Sequence, residues 1–302
     1  MRVAAIDCGT NSIRLLIADV TDAGLTDVTR RMEIVRLGEG VDRTGRLSDA
    51  ALIRTREALV GYAAEIAAHD VAKVRMCATS ASRDADNAQE FRDMVHGVLG
   101  VDPEVISGDE EARLSFTGAV AGLTAEQPYL IVDIGGGSTE FVTGRDGVDQ
   151  AISMDIGCVR MTERHLHGDP PTRDEIVAAE RDIRAAVDVA LAAVPGREAK
   201  TLVGLAGTVT TVVALAKQLP AYDASRIHHA TVTYEQVAAV TAKLLEMPVA
   251  ERRSLPVMHP GRADVIGGGA LILRIIMERA GQPAVIASEH DILDGIAYKL
   301  VA

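Results

Sequence analysis

Two acidic glycine turns, Asp7-Cys8-Gly9-Thr10-Asn11-Ser12 and Asp133-Ile134-Gly135-Gly136-Gly137-Ser138-Thr139-Glu140, stand 126 positions apart in this chain. Asp7 matches Asp133, Gly9 matches Gly135, and Ser12 matches Ser138. Each turn follows a short apolar run and leads into another, at 13–18 and at 141–143, which predicts a strand, a tight turn and a second strand. Glycine lets the backbone approach an anion closely, and the amides of such a turn point at it. A carboxylate repels an anion, so Asp7 and Asp133 make sense beside phosphate only if they hold a divalent cation that bridges to it. The duplication predicts two lobes facing one phosphate site.

The signals differ in weight. Alone, the first turn reads equally well as an ordinary hairpin turn. Three consecutive glycines followed by Ser-Thr-Glu waste conformational freedom unless something must come close. A third signal is Val203-Gly204-Leu205-Ala206-Gly207-Thr208-Val209-Thr210-Thr211, a strand meeting a Gly-Thr turn and then a helix expected from Thr210. Helix N-termini bind phosphate through free amides and the dipole, which makes Gly207 and Thr208 candidate contacts. The competing reading is a helix simply capped by Thr208. A fourth signal is Ser107-Gly108-Asp109-Glu110-Glu111-Ala112-Arg113. Acids at a helix start are common for dipole reasons. Hydrolysis of a phosphoanhydride also needs a carboxylate to orient or deprotonate water, and composition does not choose among Asp109, Glu110 and Glu111.

Composition narrows the partners. At 302 residues, two domains are expected. A net charge of -12, no Lys/Arg run longer than two, 3% aromatic residues and no Trp argue against DNA or RNA. No apolar run reaches the roughly 18 residues of a membrane span. The first residues enter a strand without a signal-peptide pattern, and three unclustered cysteines suit neither a disulfide scaffold nor a zinc site. A cytoplasmic location is expected.

Along the chain, strands are expected at 3–6, 12–20, 25–37, 71–78 and 103–106, with a Gly-rich loop at 38–45. Ser48 sits where an N-cap would, ahead of a helix with Leu52, Ile53, Leu59, Ala63 and Ile66 on one face. Helices are expected at 87–99 and 110–120, and a polar connector at 124–128 places the domain boundary. Thr172-Arg173-Asp174-Glu175 is a capping box before a long helix marked by Ile176, Ile183, Val187 and Leu191. Further helices are expected from Thr233 to Met247, at 263–280 and at 292–300, with strands at 202–205 and 284–287. Strands alternate with helices, which argues for α/β layers.

Several residues are not promoted. His165 and His167 beside a Gly-Asp-Pro-Pro turn, the pair His228-His229, and His290 between two acids read as solvated positions rather than metal ligands. Cys8 and Cys77 read as buried small hydrophobes, and nothing near Cys158 visibly lowers its pKa. Arg252, Arg253 and Arg262 suit either a polyanion or a solvated loop face. Gly267-Gly268-Gly269 suits either close helix packing or ligand approach.

The chain resembles the Ppx/GppA family of exopolyphosphatases and guanosine pentaphosphate phosphohydrolases, within the actin-like ATPase superfamily. The resemblance covers nearly the whole chain. It rests on the two turns and on Ala78-Thr79-Ser80-Ala81-Ser82-Arg83, Ser107-Gly108-Asp109-Glu110-Glu111-Ala112-Arg113 and Gly157-Cys158-Val159-Arg160. It implies two actin-like (ribonuclease H-like) α/β domains, with mixed sheets flanked by helices and a cleft between them. These would span 1–125 and 126–289, with a closing helix at about 290–302 packing back on the first. It implies Glu111 as the base for the attacking water and Arg83 as an arginine near the terminal phosphate. Asp7, Asp133 and Glu140 would hold Mg2+ (or Mn2+). Gly9, Asn11, Ser12, Gly135, Gly136, Gly137 and Ser138 would contact phosphate.

Two departures shape the expected activity. Many family members continue into a further helical region that lengthens the polyphosphate channel, and this chain stops at Ala302. Short polyphosphates or guanosine pentaphosphate are therefore the expected substrates. The segment Ser288-Glu289-His290-Asp291-Ile292-Leu293-Asp294-Gly295 lacks the Arg of the family's usual stretch. The expected reaction is hydrolysis of a terminal phosphoanhydride with release of orthophosphate, and a homodimer is the expected assembly. The rivals are an ATP-dependent small-molecule kinase of the same superfamily and a non-catalytic sensor of guanosine polyphosphates or polyphosphate.

Overall fold

Each acidic turn joins two strands, and around each hairpin the chain builds a sheet in the same order. The structure, a computed structural model, describes residues 1–301; Ala302, the last residue of the expected closing segment, lies outside the described residues. The chain divides into two units. One is Met1–Gly118 together with the segment from Asp291 on, and the other is Ala119–His290.

In the first unit, β1 (Arg2–Cys8), β2 (Ser12–Thr21) and β3 (Gly24–Ile34) form an antiparallel meander. The helical turn α1 (Val41–Thr44) and the long helix α2 (Asp49–Ala68) follow. Then β4 (Lys73–Ala78) runs parallel to β1, and the short helix α3 (Ser80–Arg83) leaves its end. Helix α4 (Ala88–Leu99), strand β5 (Glu104–Val105) and helix α5 (Gly108–Val120) complete the first part. The sheet order is β3-β2-β1-β4-β5. The third strand ends at Ile34, short of the expected Leu37, because Val35 and Arg36 donate instead to the Asn11 carbonyl.

The apolar run of β1 is continuous because both faces of the strand are covered. Ala4 and Ile6 pack on the side of α2 and α4. Val3 and Ala5 pack with Leu16 and Ala18 against Ile292, Leu293 and Ile296 of the closing helix, Ile292–Lys299. Ser48 caps α2 by accepting from the Ala51 amide. The buried stripe of α2 is Ala51, Thr55, Leu59 and Tyr62, whereas Ile53 is 57% exposed. Ile53 was expected on the inner face. Thr55 takes the inner position instead, since its hydroxyl is satisfied by the Ala51 carbonyl at 2.8 Å. Tyr62 then ties the helix to β2 through the Ile13 carbonyl at 2.9 Å.

In the second unit, β6 (Tyr129–Ile134), β7 (Thr139–Gly144) and β8 (Val148–Met154) repeat the meander. Helices α6 (Cys158–His165) and α7 (Arg173–Ala193) follow, the latter opened by the expected capping box of Thr172 and Glu175. Then β9 (Thr201–Leu205) runs parallel to β6 and passes into α8 (Ala206–Ala216). Next come α9 (Ala224–Ile227), β10 (Thr231–Thr233), α10 (Tyr234–Glu246), α11 (Val249–Arg253), α12 (Ile266–Ala280) and β11 (Ala284–Ala287). The sheet order is β10-β11-β9-β6-β7-β8. Read from its outer meander strand, each sheet runs third, second, first, then a parallel strand, so the two units share one topology. Helix α12 is apolar nearly all round, and it is the central buried helix of the second core. Among the described residues, no helix is long and apolar enough to cross a membrane.

Candidate active site

The two turns close identically. The Gly9 amide donates to the Ser12 carbonyl at 3.0 Å, and the Gly135 amide donates to the Ser138 carbonyl at 3.0 Å. In the first turn, the Thr10 carbonyl accepts from Gly38 at 2.8 Å, and the Asn11 carbonyl accepts from Val35 at 3.1 Å and Arg36 at 2.9 Å. In the second, the Gly135 carbonyl accepts from the Cys158 amide at 2.9 Å and the Gly136 carbonyl from Val159 at 2.9 Å. Arg160 adds a bond from its Nε to the Gly137 carbonyl at 2.7 Å. The carbonyls are thereby engaged. The amides of Thr10 and Asn11, and those of Gly136, Gly137 and Ser138, make no backbone hydrogen bond among the described residues. Such a row of amides is an anion-binding concavity. The start of α6 abuts the second turn so closely that a Cβ on Gly157 would lie 2.3 Å from the Gly136 carbonyl oxygen.

The acids of the two hairpins occupy matching ladder positions but have different partners. Asp7 lies opposite Arg14 on β1–β2, whereas Asp133 lies opposite Glu140 on β6–β7. Arg14 donates to Asp7 Oδ2 from Nε at 3.1 Å and from Nη2 at 2.7 Å, so Oδ1 is not engaged by it. The same guanidinium holds Asp291 Oδ2 through Nη1. Burial pushes the Asp7 carboxyl above its ordinary value, and Arg14 only partly opposes this because Asp291 shares it. Burial acts on Asp291 in the same sense, but Arg14 and Arg30 outweigh it and hold that carboxyl below its ordinary value. Asp133 and Glu140 are 7% and 1% exposed, and Ser153 donates to Glu140 Oε1 at 2.8 Å.

The three acids of the Ser107–Arg113 segment separate cleanly. Asp109 pairs with Arg113 at 2.9 Å on an exposed face. Glu110 is held by Arg75 at 2.8 Å and Lys299 at 3.4 Å. Glu111 is 9% exposed and accepts from Arg83 Nη1 at 2.9 Å. Arg83 Nη1 also donates to the Ile106 carbonyl at 2.8 Å, which fixes the guanidinium at the mouth of α3 and α5. The first turn reaches the same neighbourhood, since Thr10 Oγ1 and Ser80 Oγ lie 2.8 Å apart. The first unit therefore brings Gly9, Asn11, Ser12 and Asp7 onto one hairpin and Glu111 against Arg83.

The Gly207–Thr208 junction differs from its expected form. Helix α8 begins at Ala206 rather than Thr210, and Ala206 itself takes the left-handed φ of 65° that turns strand into helix. Thr208 is no cap; its side chain is buried in the first turn, bonded to Cys158 and packed where a Cβ on Gly269 would fall 2.6 Å away. The Arg262 guanidinium lies over Gly207, 2.1 Å from where a Cβ would stand. Arg252 does not serve a polyanion: it is buried and donates to the carbonyls of Met247 and Ala263 at 3.0 Å each. The glycine run 267–269 is a helix-packing device, with Gly268 against Thr162 and Gly269 against Thr208. Burial raises the Cys158 thiol above its ordinary value, which keeps it protonated at neutral pH. His165 pairs with Asp182 at 2.8 Å. The rings of His228 and His229 stack at 3.7 Å and those of His228 and His290 meet at 4.4 Å, a grouping the sequence does not announce.

Arg14 and Ser153 are the neighbours that sequence reasoning missed. Arg14 was recoverable from hairpin register, because a turn closed between Gly9 and Ser12 places position 14 opposite Asp7. Ser153 carried no local signal.

The donor set of the second hairpin fits a hard divalent cation. Two buried carboxylates directly opposite each other on one sheet face repel unless positive charge lies between them. All the donors there are oxygens, as Mg2+ and Mn2+ require. Among the described residues, no group of three or more His, Cys, Asp or Glu forms a metal cage. Mg2+ keeps several waters and takes one or two carboxylates plus substrate phosphates, so a pair of facing carboxylates is a sufficient protein donor set for it.

A model of the Ppx/GppA phosphatase family matches residues 16–302. Exopolyphosphatase 2 of Mycobacterium tuberculosis is 52% identical over 314 aligned positions, covering 99% of this chain and 98% of that one. Among solved structures, a Ppx/GppA family member from Aquifex aeolicus is 33% identical and superposes with a TM-score of 0.84, over 100% of this chain and 97% of that one. An exopolyphosphatase from Cytophaga hutchinsonii is 25% identical with a TM-score of 0.92, over 100% and 98% of the two chains.

Proposed function

This chain belongs to the Ppx/GppA phosphatase family, and from that premise we propose that it is an exopolyphosphatase, removing the terminal phosphate of inorganic polyphosphate as orthophosphate. One observation carries the reading: the likeness to exopolyphosphatase 2 runs through both chains nearly end to end.

The amides of Thr10 and Asn11, and of Gly136, Gly137 and Ser138, grip phosphate oxygens, with the Asn11, Ser12 and Ser138 side chains as further donors. Gly9 and Gly135 close the turns that present them. Gly207 and Thr208 add the N-terminal amides of α8, and the Thr208 hydroxyl stays with Cys158. Asp133 and Glu140 on the second hairpin, and Asp7 on the first, are the acids that would hold Mg2+ (or Mn2+), which when bound would supply positive charge against phosphate oxygens. Glu111 orients a water in line with the terminal phosphorus and accepts its proton as the oxygen–phosphorus bond forms. The bridging P–O bond breaks, and the shortened chain departs with the bridging oxygen. Arg83, bonded to Glu111 Oε2, fixes that carboxylate and brings a cation to the charge that spreads over the equatorial oxygens. Guanosine pentaphosphate presents the same kind of terminal anhydride and is the second substrate.

The test is orthophosphate release, with Mg2+, from short polyphosphate, long polyphosphate and guanosine pentaphosphate in parallel. Release from short polyphosphate without any added acceptor is expected. Release that needs an acceptor points to a kinase, and binding without turnover points to a sensor.

A further inference from the structure

Asp291 is buried, and each of its polar groups is used. Oδ1 accepts from the Leu293 amide at 3.0 Å and caps the closing helix. Oδ2 holds Arg14, whose other nitrogens hold Asp7. Its amide donates to Asp294 Oδ2 at 3.0 Å, and Asp294 in turn holds Arg30 at 2.8 Å. Its main-chain carbonyl lies against α5, since a Cβ on Gly118 would fall 1.9 Å from that oxygen. One step further along, a Cβ on Gly295 would fall 2.0 Å from the Leu114 carbonyl oxygen. The closing helix and α5 thus touch backbone to backbone, and α5 is the helix that carries Glu111.

A helix cap needs only an acceptor, and Asn or Ser serves as well as Asp. Burying a full negative charge at this place is costly and calls for another reason. The reason on view is Arg14, which lies between two carboxylates that repel each other. A guanidinium anchored from both sides cannot swing, and the Asp7 carboxylate it holds is anchored with it. We infer that Asp291 is a positioning residue: it clamps Arg14 against Asp7 and, through the glycine contact of the closing helix with α5, fixes where Asp7 stands relative to Glu111. The inference rests on the exopolyphosphatase reading, because it assigns Asp291 to the geometry of that reaction. Asp291 itself touches no reacting atom.

The experiment compares wild type, Asp291→Asn, Asp291→Ser, Glu111→Gln and the double variant Asp291→Asn/Glu111→Gln. Orthophosphate release from short polyphosphate is measured with Mg2+, with circular dichroism as a check on folding. Both Asp291 variants keep the cap acceptor, so a purely structural role predicts wild-type kinetics. Positioning predicts a fall in kcat of about 10–100-fold with KM within about 2-fold. It also predicts that Asp291→Asn costs almost nothing further once Glu111 is Gln, because the pair being aligned no longer works. A folded Asp291→Asn or Asp291→Ser enzyme with wild-type kcat overturns the inference while leaving the exopolyphosphatase reading intact. So does an equal loss in both Glu111 backgrounds. A wild-type protein that releases no orthophosphate overturns the reading itself, and the inference with it.

Discussion

Asp133 and Glu140 face each other across β6 and β7, two buried carboxylates in direct cross-strand register. The matching position in the first hairpin pairs Asp7 with Arg14. The same turn has therefore been given opposite electrostatics in the two units: one acid comes with its own cation, and the other comes with a second acid. The second arrangement is the one that the proposed divalent cation would serve.

Neutralising one of these two acids relieves their repulsion in the absence of metal. Asp133→Asn is expected to raise metal-free stability by about 0.2–1 kcal/mol, a Tm gain of about 1–4 °C. Mg2+ should then raise the Tm of wild type but not of the variant, and orthophosphate release should collapse. Scanning calorimetry with and without Mg2+ checks both. A variant whose Tm still responds fully to Mg2+ places the cation elsewhere.

Glu111→Gln keeps the size of the side chain and removes its basicity. Turnover is expected to fall about 10²–10⁴-fold. Asp109→Asn, on the exposed face beside Arg113, is expected to stay within about 2-fold of wild type, as exposed ion pairs contribute little. Steady-state kinetics on short polyphosphate separate the two. Equal losses from both changes contradict the assignment of Glu111.

The Asp7–Arg14–Asp291 cluster makes opposite predictions for its cation and its anions. Arg14→Gln strands two buried carboxylates, at a cost of about 3–5 kcal/mol. Asp7→Asn leaves the balanced pair Arg14–Asp291 and is expected to be neutral or stabilising near pH 7. The pH dependence follows from the shifts. The folded Asp7 carboxyl titrates above its ordinary 3.8, so the folded state holds that proton more tightly than the unfolded state. Its contribution therefore turns unfavourable as pH rises through the folded value. Asp291 titrates below its ordinary value, so its contribution is present above that value and is lost as pH falls through the folded one. The advantage of Asp7→Asn over wild type should thus be largest at neutral pH and vanish on acidification. Urea unfolding across the acidic range, without divalent cation, reads it directly.

Gly157→Ala tests the junction of the second turn with α6. Its Cβ would meet the Gly136 carbonyl oxygen at 2.3 Å, which is backbone and cannot yield cheaply. A cost of about 1–3 kcal/mol is expected, with a rise in KM as the turn's amides shift. Gly147→Ala, where nothing lies within 4 Å, is the control. Equal KM values for the two variants would show that the turn does not depend on this contact.

Much of this arrangement was legible in the chain because it is local. The hairpins announce themselves through glycine spacing and flanking apolar runs, and capping boxes such as Thr172–Glu175 need only four neighbouring residues. The relationships that were not legible are long-range or ambiguous in kind. Arg14 and Asp291 are 277 positions apart, and nothing in either neighbourhood names the other. The run 267–269 shows that something approaches closely, but only the packing of α12 on α6 and α8 tells that it is another helix. The Gly207–Thr208 junction misled because glycine suggests the bend, whereas the left-handed residue is Ala206. Arg252 and Arg253 look equivalent in sequence, and three-dimensional packing makes only the first an interior strut. The choice among Asp109, Glu110 and Glu111 required knowing which way α5 faces.

The interruption of the first unit by the second has a consequence for biosynthesis. A ribosome delivers Arg14 long before it delivers Asp291, and every residue of the second unit emerges in the interval. The second unit, being continuous, holds all its sequence information before the first one does. Until residues 292–296 emerge, β1 and β2 show solvent an uncovered apolar face where Ile292, Leu293 and Ile296 later settle. Nascent chains stalled just before codon 291 should therefore be the ones that chaperones grip hardest.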